Sequence, residues 1–543
     1  MITFLLRQSL ASLFFIPFLF FATLHTSAQT LTYGTVVNEP EADQGYTLFT
    51  PIGHLKTYLI DPCGRLVNSW SSTYPPALTA YLHTDGSLYR AGRIANQSMN
   101  ITGMGGRIER FDWEGNLTWG YDYYGPVFAP HHDFCVLPNG NVILIVSQKK
   151  TRDEAIQAGR DSVAFPASNS ALLTEYLVEL EPIGADSARI VWEWHVWDHL
   201  IQDVDPSKPN YGNPLQHPER IDINFTDFND LQDFLHMNSV RYNPELDQLL
   251  VSNRHISEVW IIDHSTTTEE AASSQGGNSG RGGDLLFRWG NPESTGAGLP
   301  SNQYFSSQHN AGWINSHRFL VYNNSPNRGY SSVDQVELQR DSAGHYLQSA
   351  GYFLPAQPAD TLSLAVNLSA GRLSSAQVLD NGHILVCSGV QGYFTEIDSQ
   401  HQIIWQYRSP VSPNGIVAQG TTNANSLFST FNCSRYNQAF SGFAGKDLTP
   451  SDPLELNFDL SGCPATQIRT VSGNGKSVIY PNPSSGEVFI DFPEKIFRLE
   501  VFDMSGRRVA DYNGEQGFSG EGLNPGWYYI QINGHFVSKW VKE

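Results

Sequence analysis

Asn139-Gly140-Asn141-Val142-Ile143-Leu144-Ile145 places a tight turn directly before an apolar run, and the same device recurs along the chain. Asp85-Gly86 precedes Ser87-Leu88-Tyr89, and Asn381-Gly382 precedes Ile384-Leu385-Val386. Asx and Gly tolerate positive φ, so Asx-Gly between apolar runs marks a hairpin. A second recurring piece ends in tryptophan. Asp61-Pro62-Cys63-Gly64 leads to Trp70, Asp112-Trp113-Glu114-Gly115 to Trp119, and Glu181-Pro182-Ile183-Gly184 to Trp192. Asp284 likewise precedes Trp289, and Asp398 leads to Trp405. A sixth unit runs from Val333 to Phe353, with Tyr346 in the place of the tryptophan. Six four-stranded units of uneven length, from about Gly45 to Pro410, predict an all-β fold, a six-bladed β-propeller. A pair of β-sandwiches explains the tryptophan spacing less well.

Composition agrees. Aromatic residues make up 12% of the 543, charged residues only 16%, and there are 47 Gly and 30 Pro, which suits a large β protein with many turns. The formal net charge of −21 excludes a general affinity for nucleic acid or for anionic membranes. Arg7, the apolar run from Leu10 to Phe21 and the small residues Thr26-Ser27-Ala28 read as a signal peptide covering residues 1–28. No later stretch approaches the roughly 18 apolar residues of a membrane span. Of Cys63, Cys135, Cys387, Cys433 and Cys463, the expected pair is Cys433 with Cys463, while Cys135 and Cys387 lie in apolar strand patterns as small buried hydrophobes.

Four polar segments interrupt the repeat where strands should begin: His131-His132-Asp133-Phe134, Leu235-His236-Met237-Asn238, Val251-Ser252-Asn253-Arg254-His255 and Ser307-Gln308-His309-Asn310. No helix or single loop brings them together, but equivalent strand starts of a propeller face one axis. One at a time, each has a plain structural reading. His83, His264, His317 and His401 are left there, Asp133 can cap a turn, and Arg254 can pair with Glu258 on the surface. Taken together, His132, His236, Arg254 and His309 make a pocket for an oxyanion. Three histidines would suit zinc, but a guanidinium that keeps its charge disfavours a neighbouring metal ion, so no metal and no cofactor are expected. Asn238, two residues from His236 and on its face of the strand, adds a donor for substrate or for an imidazole.

These segments, together with Leu286-Phe287-Arg288-Trp289-Gly290 and Leu137-Pro138-Asn139-Gly140, resemble those of bacterial arylsulfate sulfotransferases from about Gly45 to Phe443. The resemblance implies a six-bladed propeller that moves a sulfuryl group from a phenolic sulfate ester to a phenolic acceptor without PAPS. It implies a ping-pong cycle through a sulfated histidine, which falls on His309. Arg254, His236 and His132 would then hold the sulfuryl oxygens, one of the two histidines also exchanging the phenolic proton. Asn310 stands where relatives often carry an acid. The propeller begins within about twenty residues of the expected mature start, leaving no room for the N-terminal domain through which some relatives dimerise, so a monomer is expected. Two alternatives stay open: a non-catalytic surface propeller binding sulfated or anionic glycans, and a metal-dependent hydrolase or lyase.

After about Thr470 the pattern becomes a short, separate alternation, that of a small β-sandwich. Tyr480-Pro481-Asn482-Pro483, Asp503-Met504-Ser505-Gly506-Arg507, Gly526-Trp527-Tyr528 and the basic end at Lys539 and Lys542 resemble the C-terminal sorting domain of type IX secretion cargo. That resemblance implies passage through the outer membrane by the type IX machinery. The expected boundaries are 1–28 signal peptide, 29–445 propeller, 446–470 linker and 471–543 sorting domain.

Overall fold

The computed structural model describes residues 31–94, 99, 101–226, 232–421, 428–458, 460, 463, 478–480, 487–491, 498–503, 507–513, 517–532 and 535–542. The expected signal peptide lies outside them. The body of the chain is a series of antiparallel sheets, numbered here as blades. Blade two holds Pro76–Leu82, Leu88–Arg93, Gly106–Phe111 and Leu117–Asp122. Blade three holds Phe128–Val136, Val142–Thr151, Ala171–Ile183 and Ser187–His195, and blade four Met237–Asn243, Gln248–Asn253, Glu258–Asp263 and Phe287–Trp289. Blade five holds His309–Asn315, Arg318–Asn323, Ser332–Glu337 and Asp360–Ser363. Blade six holds Ser375–Val378, Ile384–Ser388, Tyr393–Ile397 and Ile403–Arg408, with Gly34–Asn38 added outside.

Blade one joins the two ends of the body. Its outer strands, Tyr46–Pro51, Lys56–Ile60 and Leu66–Ser71, come early, but its innermost strand is Thr430–Tyr436. Leu48 pairs with Ser434 and Phe49 with Cys433. The first strands of successive blades touch one another in turn, and that of blade six touches Thr430–Tyr436, so the series returns on itself as a propeller.

The tryptophans that mark the repeat in the sequence join one blade to the next. The Nε1–H of Trp70 donates to Asp112 O at 2.8 Å, that of Trp119 to Ser187 O at 2.7 Å, and that of Trp192 to Thr266 Oγ1 at 3.1 Å. Trp289 donates to Pro355 O at 2.6 Å, and Trp405 of blade six to Pro62 O of blade one at 2.7 Å. Each indole thus fills the gap between sheets and satisfies its one donor there. The sixth unit read around Tyr346 is corrected by the structure. The outer strand of blade five is Asp360–Ser363, and Tyr346 lies in the excursion before it, packed 5.3 Å from Phe287.

Residues 478–542 form a three-stranded and a four-stranded sheet around a shared core of Val488, Ile490, Leu499, Val501, Phe518, Ile530 and Trp540, a small β-sandwich. Before it, Pro453 bridges to Arg65 and Leu456 to Ala418, so this stretch lies on the propeller. The expected Cys433–Cys463 pair is corrected as well: Cys463 is bonded to Cys63 of blade one. Cys433 sits on the innermost strand, inside the core that includes Cys387 and Phe394, where the tail cannot reach it. Cys135 and Cys387 are free and buried, as expected. Among the described residues no helix is long and apolar enough to cross a membrane.

Trp405→Phe removes the bond that ties blade six to blade one and leaves Pro62 O with the Thr35 hydroxyl as its donor. It should cost about 1 kcal/mol, seen as a lower denaturation midpoint with an unchanged slope. Trp527→Phe, on the exposed face of the sandwich, should leave the midpoint of the propeller transition where it was.

Candidate active site

The candidate residues owe their position to irregularities at the starts of the innermost strands. In blade three Pro130 pairs with Val146 and Phe134 with Leu144, so His131, His132 and Asp133 stand opposite Ile145 alone. In blade four Met237 faces Asn253 and Ser239 faces Ser252, leaving Asn238 as the extra residue, and in blade five Asn310 and Ala311 oppose Val321. Left-handed backbone accompanies the bulges at His132 (φ 58°), His236 (φ 57°) and Asn310 (φ 52°). Non-glycine residues adopt this conformation at a cost, and such strain gathers at functional sites. Here it re-aims side chains that a regular strand would send between the sheets.

His309 is buried, and its protonation pattern can be deduced. Nδ1 lies 3.0 Å from Ser307 O and 2.7 Å from Asn324 Oδ1. A backbone carbonyl only accepts, so Nδ1 carries the hydrogen. The Asn324 amide is fixed in turn, because its Nδ2 donates to Ala370 O at 2.6 Å and Leu373 O at 3.1 Å. The lone pair of the neutral ring is therefore on Nε2, an atom that none of the hydrogen bonds among described residues uses. Burial pushes the pKa of His309 down to about 4, Arg254 and His255 adding to the effect against the bonds from Asn324 and Ser307. The ring is neutral at any ordinary pH.

His236, Arg254 and His255 are arranged around Asp233. The Nδ1–H of His236 donates to Asp233 Oδ2 at 2.6 Å, and that of His255 to the Asp233 carbonyl at 2.6 Å. The two rings stack with centroids 4.4 Å apart. His255 Nε2 is left as an acceptor and receives Arg254 Nη1–H at 2.8 Å. The surface pair of Arg254 with Glu258 is thereby corrected: Glu258 is buried and holds Arg288 at 2.6 Å. Asp233, His236 and His255 bring three potential ligand atoms within 4.8 Å of one another. His236 Nδ1 and both nitrogens of His255 already serve hydrogen bonds within the group and to Arg254, whose permanent charge stands beside them, so the set does not fit a cation.

His132 packs edge-on to His236, centroids 4.6 Å apart, and Phe431 of the closing strand lies about 6 Å from both His132 and His309. Behind it His131 Nδ1 lies 2.7 Å from His132 Nδ1, and His131 Nε2 lies 3.0 Å from Glu175. The pKa values of His132 and His236 both lie well below the usual imidazole range, through burial first and then through the neighbouring histidines and Arg254. Asn238 is fully buried, and its amide donates to Gln308 O at 2.7 Å, holding the backbone before His309. Asp133 does more than turn the chain: it is ion-paired with Arg241 of blade four and accepts Tyr81 Oη–H of blade two at 2.7 Å. His264, left as structural, is held by Asp247 and Glu179.

The structure thus brings His132, His236, Arg254 and His309 into one electrostatic neighbourhood and adds residues that the sequence reading passed over. Asp233 stands three before His236, His255 and His131 adjoin named residues, Asn324 ends the doublet Asn323-Asn324, and Arg372 adds to the burial that lowers the pKa of Arg254, against Asp233. Adjacency could have suggested the histidines and Asp233. Nothing local distinguishes Asn324, Glu175 or Arg372. A cavity of about 390 Å³, lined by Tyr81, Arg241, Trp313, Gln377 and Tyr436, lies farther along the same innermost strands. A larger one of about 560 Å³ beside Arg288, Trp289 and Tyr304 does not reach the histidines.

Residues 78–424 match the family described as arylsulfotransferase (ASST), well over half of the chain. The chain belongs to the arylsulfotransferase family. A sulfotransferase-type function follows from that membership. Residues 478–542 match the secretion system C-terminal sorting domain, which indicates export of this arylsulfotransferase to the cell surface or beyond. No curated protein matches the sequence. Among solved structures, it is similar to a protein of unknown function from Bacteroides caccae, at 10% identity and a TM-score of 0.38 over 72% of this chain and 98% of that one. It is also similar to a periplasmic gluconolactonase of Pseudomonas aeruginosa, at 12% identity and a TM-score of 0.33 over 87% and 97%. A virginiamycin B lyase from Staphylococcus aureus follows at 10% and 0.32 over 70% and 88%.

A histidine whose folded pKa lies below its unfolded value binds fewer protons folded than unfolded between the two. Stability should therefore be full above about pH 6.5 and fall as the pH drops toward 4, through His309 and, in the same direction, His132 and His236. Denaturant midpoints measured across that window check the sign: a rise in stability on acidification would contradict it.

Proposed function

We propose that this arylsulfotransferase moves a sulfuryl group from a phenolic sulfate ester to a phenolic acceptor, without PAPS, through a sulfohistidine on His309. The observation that carries the reading is the Nδ1–H of His309, held by Asn324 and Ser307, which leaves the Nε2 lone pair available in the neighbourhood of Arg254. In the first half-reaction the Nε2–S bond forms as the S–O bond to the phenol breaks, and the phenolate leaves with the bonding pair. The ring acquires positive charge, which the Asn324 and Ser307 oxygens stabilise through the hydrogen already on Nδ1. In the second half the acceptor phenol gives up its proton and attacks sulfur, and His309 departs as the neutral imidazole it began as.

Arg254 would grip the sulfuryl oxygens with forked, charge-assisted hydrogen bonds. His255 accepts one guanidinium hydrogen and so sets the fork's orientation. His236 and His132 would contribute further contacts and the proton exchange with phenol. Asn238 would act by fixing the Gln308 carbonyl and, with it, the approach of His309. The same reading takes residues 1–28 as a signal peptide, 29–445 as the enzyme body, 446–470 as a linker and 471–543 as the sorting domain, with the enzyme acting as a monomer.

Exposure to aryl sulfate donor alone should add about 80 Da to the wild-type protein, the mass of one sulfuryl group held covalently. His309→Ala should not gain it; an adduct that survives this substitution moves the nucleophile elsewhere. Arg254→Lys should slow adduct formation by roughly 100-fold or more, since a point charge does not reproduce the fork. Wild-type rates in that variant would remove Arg254 from the site. Binding of a sulfate ester with neither adduct nor transfer would leave an anion-binding propeller instead of an enzyme.

A further inference from the structure

A sulfuryl transfer that expels an unactivated phenolate needs a proton for it, and the histidines nearest the pocket are poorly suited to store one. His132 is buried beside His236, His131 and Arg254, surroundings that oppose an imidazolium. Behind it, however, lies a line of exchangeable positions in close contact, its first step a hydrogen bond and its second an unaligned approach. His132 Nδ1 is 2.7 Å from His131 Nδ1, a separation that requires one hydrogen between the two nitrogens. His131 Nε2 is in turn 3.0 Å from Glu175 Oε1, at an angle oblique to the ring nitrogen's N–H direction. Glu175 is 2% exposed, comes from the third strand of blade three and accepts the Met237 N–H at 2.9 and 3.0 Å. The two histidines and the carboxyl are all buried.

We propose that Glu175 and His131 form a buried proton relay that supplies the departing phenolate, and later receives the acceptor's proton, through His132. The idea rests on the sulfuryl-transfer reading above. Before donor cleavage Glu175 is a neutral carboxylic acid that carries the proton on its own oxygen beside the lone pair of His131 Nε2, His131 Nδ1–H donates to His132 Nδ1, and His132 Nε2–H faces the pocket. On cleavage His132 Nε2 gives its proton to the phenolate oxygen. The His131 Nδ1 proton passes to His132 Nδ1, and the Glu175 proton passes to His131 Nε2. Three N–H or O–H bonds break and three form, and the negative charge of the phenolate ends on Glu175, where two oxygens accept from Met237 N–H and one faces the new His131 Nε2–H. The second half-reaction reverses every transfer. No imidazolium is formed beside Arg254, since a buried carboxyl is most easily held neutral and the proton is stored there. Burial raises the pKa of Glu175, with Asp233 nearby adding to it and His131 opposing it, which favours the stored proton.

Glu175 also pins the backbone next to His236, so loss of rate alone would not distinguish a relay from a structural prop. The dependence on the leaving group does. Glu175→Gln keeps the shape and an acceptor for Met237 N–H but holds no transferable carboxyl proton. In the first half-reaction it should slow release of an unactivated phenol by roughly 100-fold more than release of 4-nitrophenolate, which departs without protonation. Equal losses with both donors, or no loss with either, would overturn the relay. A measurement on the wild type needs no variant to fold. With the unactivated donor, the rate in mixtures of light and heavy water should curve downward, because several protons move together. A straight dependence would overturn the relay while leaving the sulfohistidine intact. If the wild type forms no adduct from either donor, the transfer reading itself falls and the relay with it.

Discussion

Everything in this molecule depends on one strand pairing: Thr430–Tyr436, from the far end of the body, lies against Tyr46–Pro51 at its beginning. Without it blade one has no innermost strand and blades two and six have no neighbour across the gap. The candidate residues come from blades three, four and five, and none of these sheets contains more than part of the set. Their approach is a property of the ring. The indole bonds from one blade to the next, and above all that from Trp405 to Pro62, hold the ring at its rim as the strand pairing holds it at its axis.

Inside that ring the chemistry is set by removal of water. The chain as a whole is strongly acidic, yet at the start of the innermost strands it gathers imidazoles that burial keeps neutral around a guanidinium that cannot lose its charge. A neutral imidazole offers a lone pair, and the fixed partner on each Nδ1 decides where that lone pair is. Asn324 does this for His309, Asp233 for His236 and for His255. The site is thus specified as much by the oxygen atoms that hold the rings as by the rings.

The fold was legible in the sequence because its signals are local: Asx-Gly turns, apolar runs and a tryptophan at the outer edge of most blades. Blade five was misjudged because it lacks that tryptophan and because its excursion carries Tyr346 into the core, where an aromatic ring looks like a blade marker. His132, His236, Arg254 and His309 could be named because each stands beside other polar residues at the start of a strand pattern. Glu175 and Asn324 could not, since each sits in an ordinary strand context and acquires meaning only from a neighbour far away in sequence. Left-handed backbone at His132 and His236 was hidden for the same reason, as it arises from mismatched pairing between strands. The cysteine pairing failed on placement: Cys433 reads as part of a loop-rich tail outside the repeat, but it lies on the innermost strand of blade one, and Cys63 meets Cys463 instead.

That last bond reaches across 400 residues, from blade one to the segment beyond the final blade. It therefore encloses almost the whole propeller in a single covalent loop. Any one cut in the surface excursions, such as those before Ala171 or after Asp263, opens the loop without dividing the molecule. Outside the cell, the ring can be nicked once and still remain one piece.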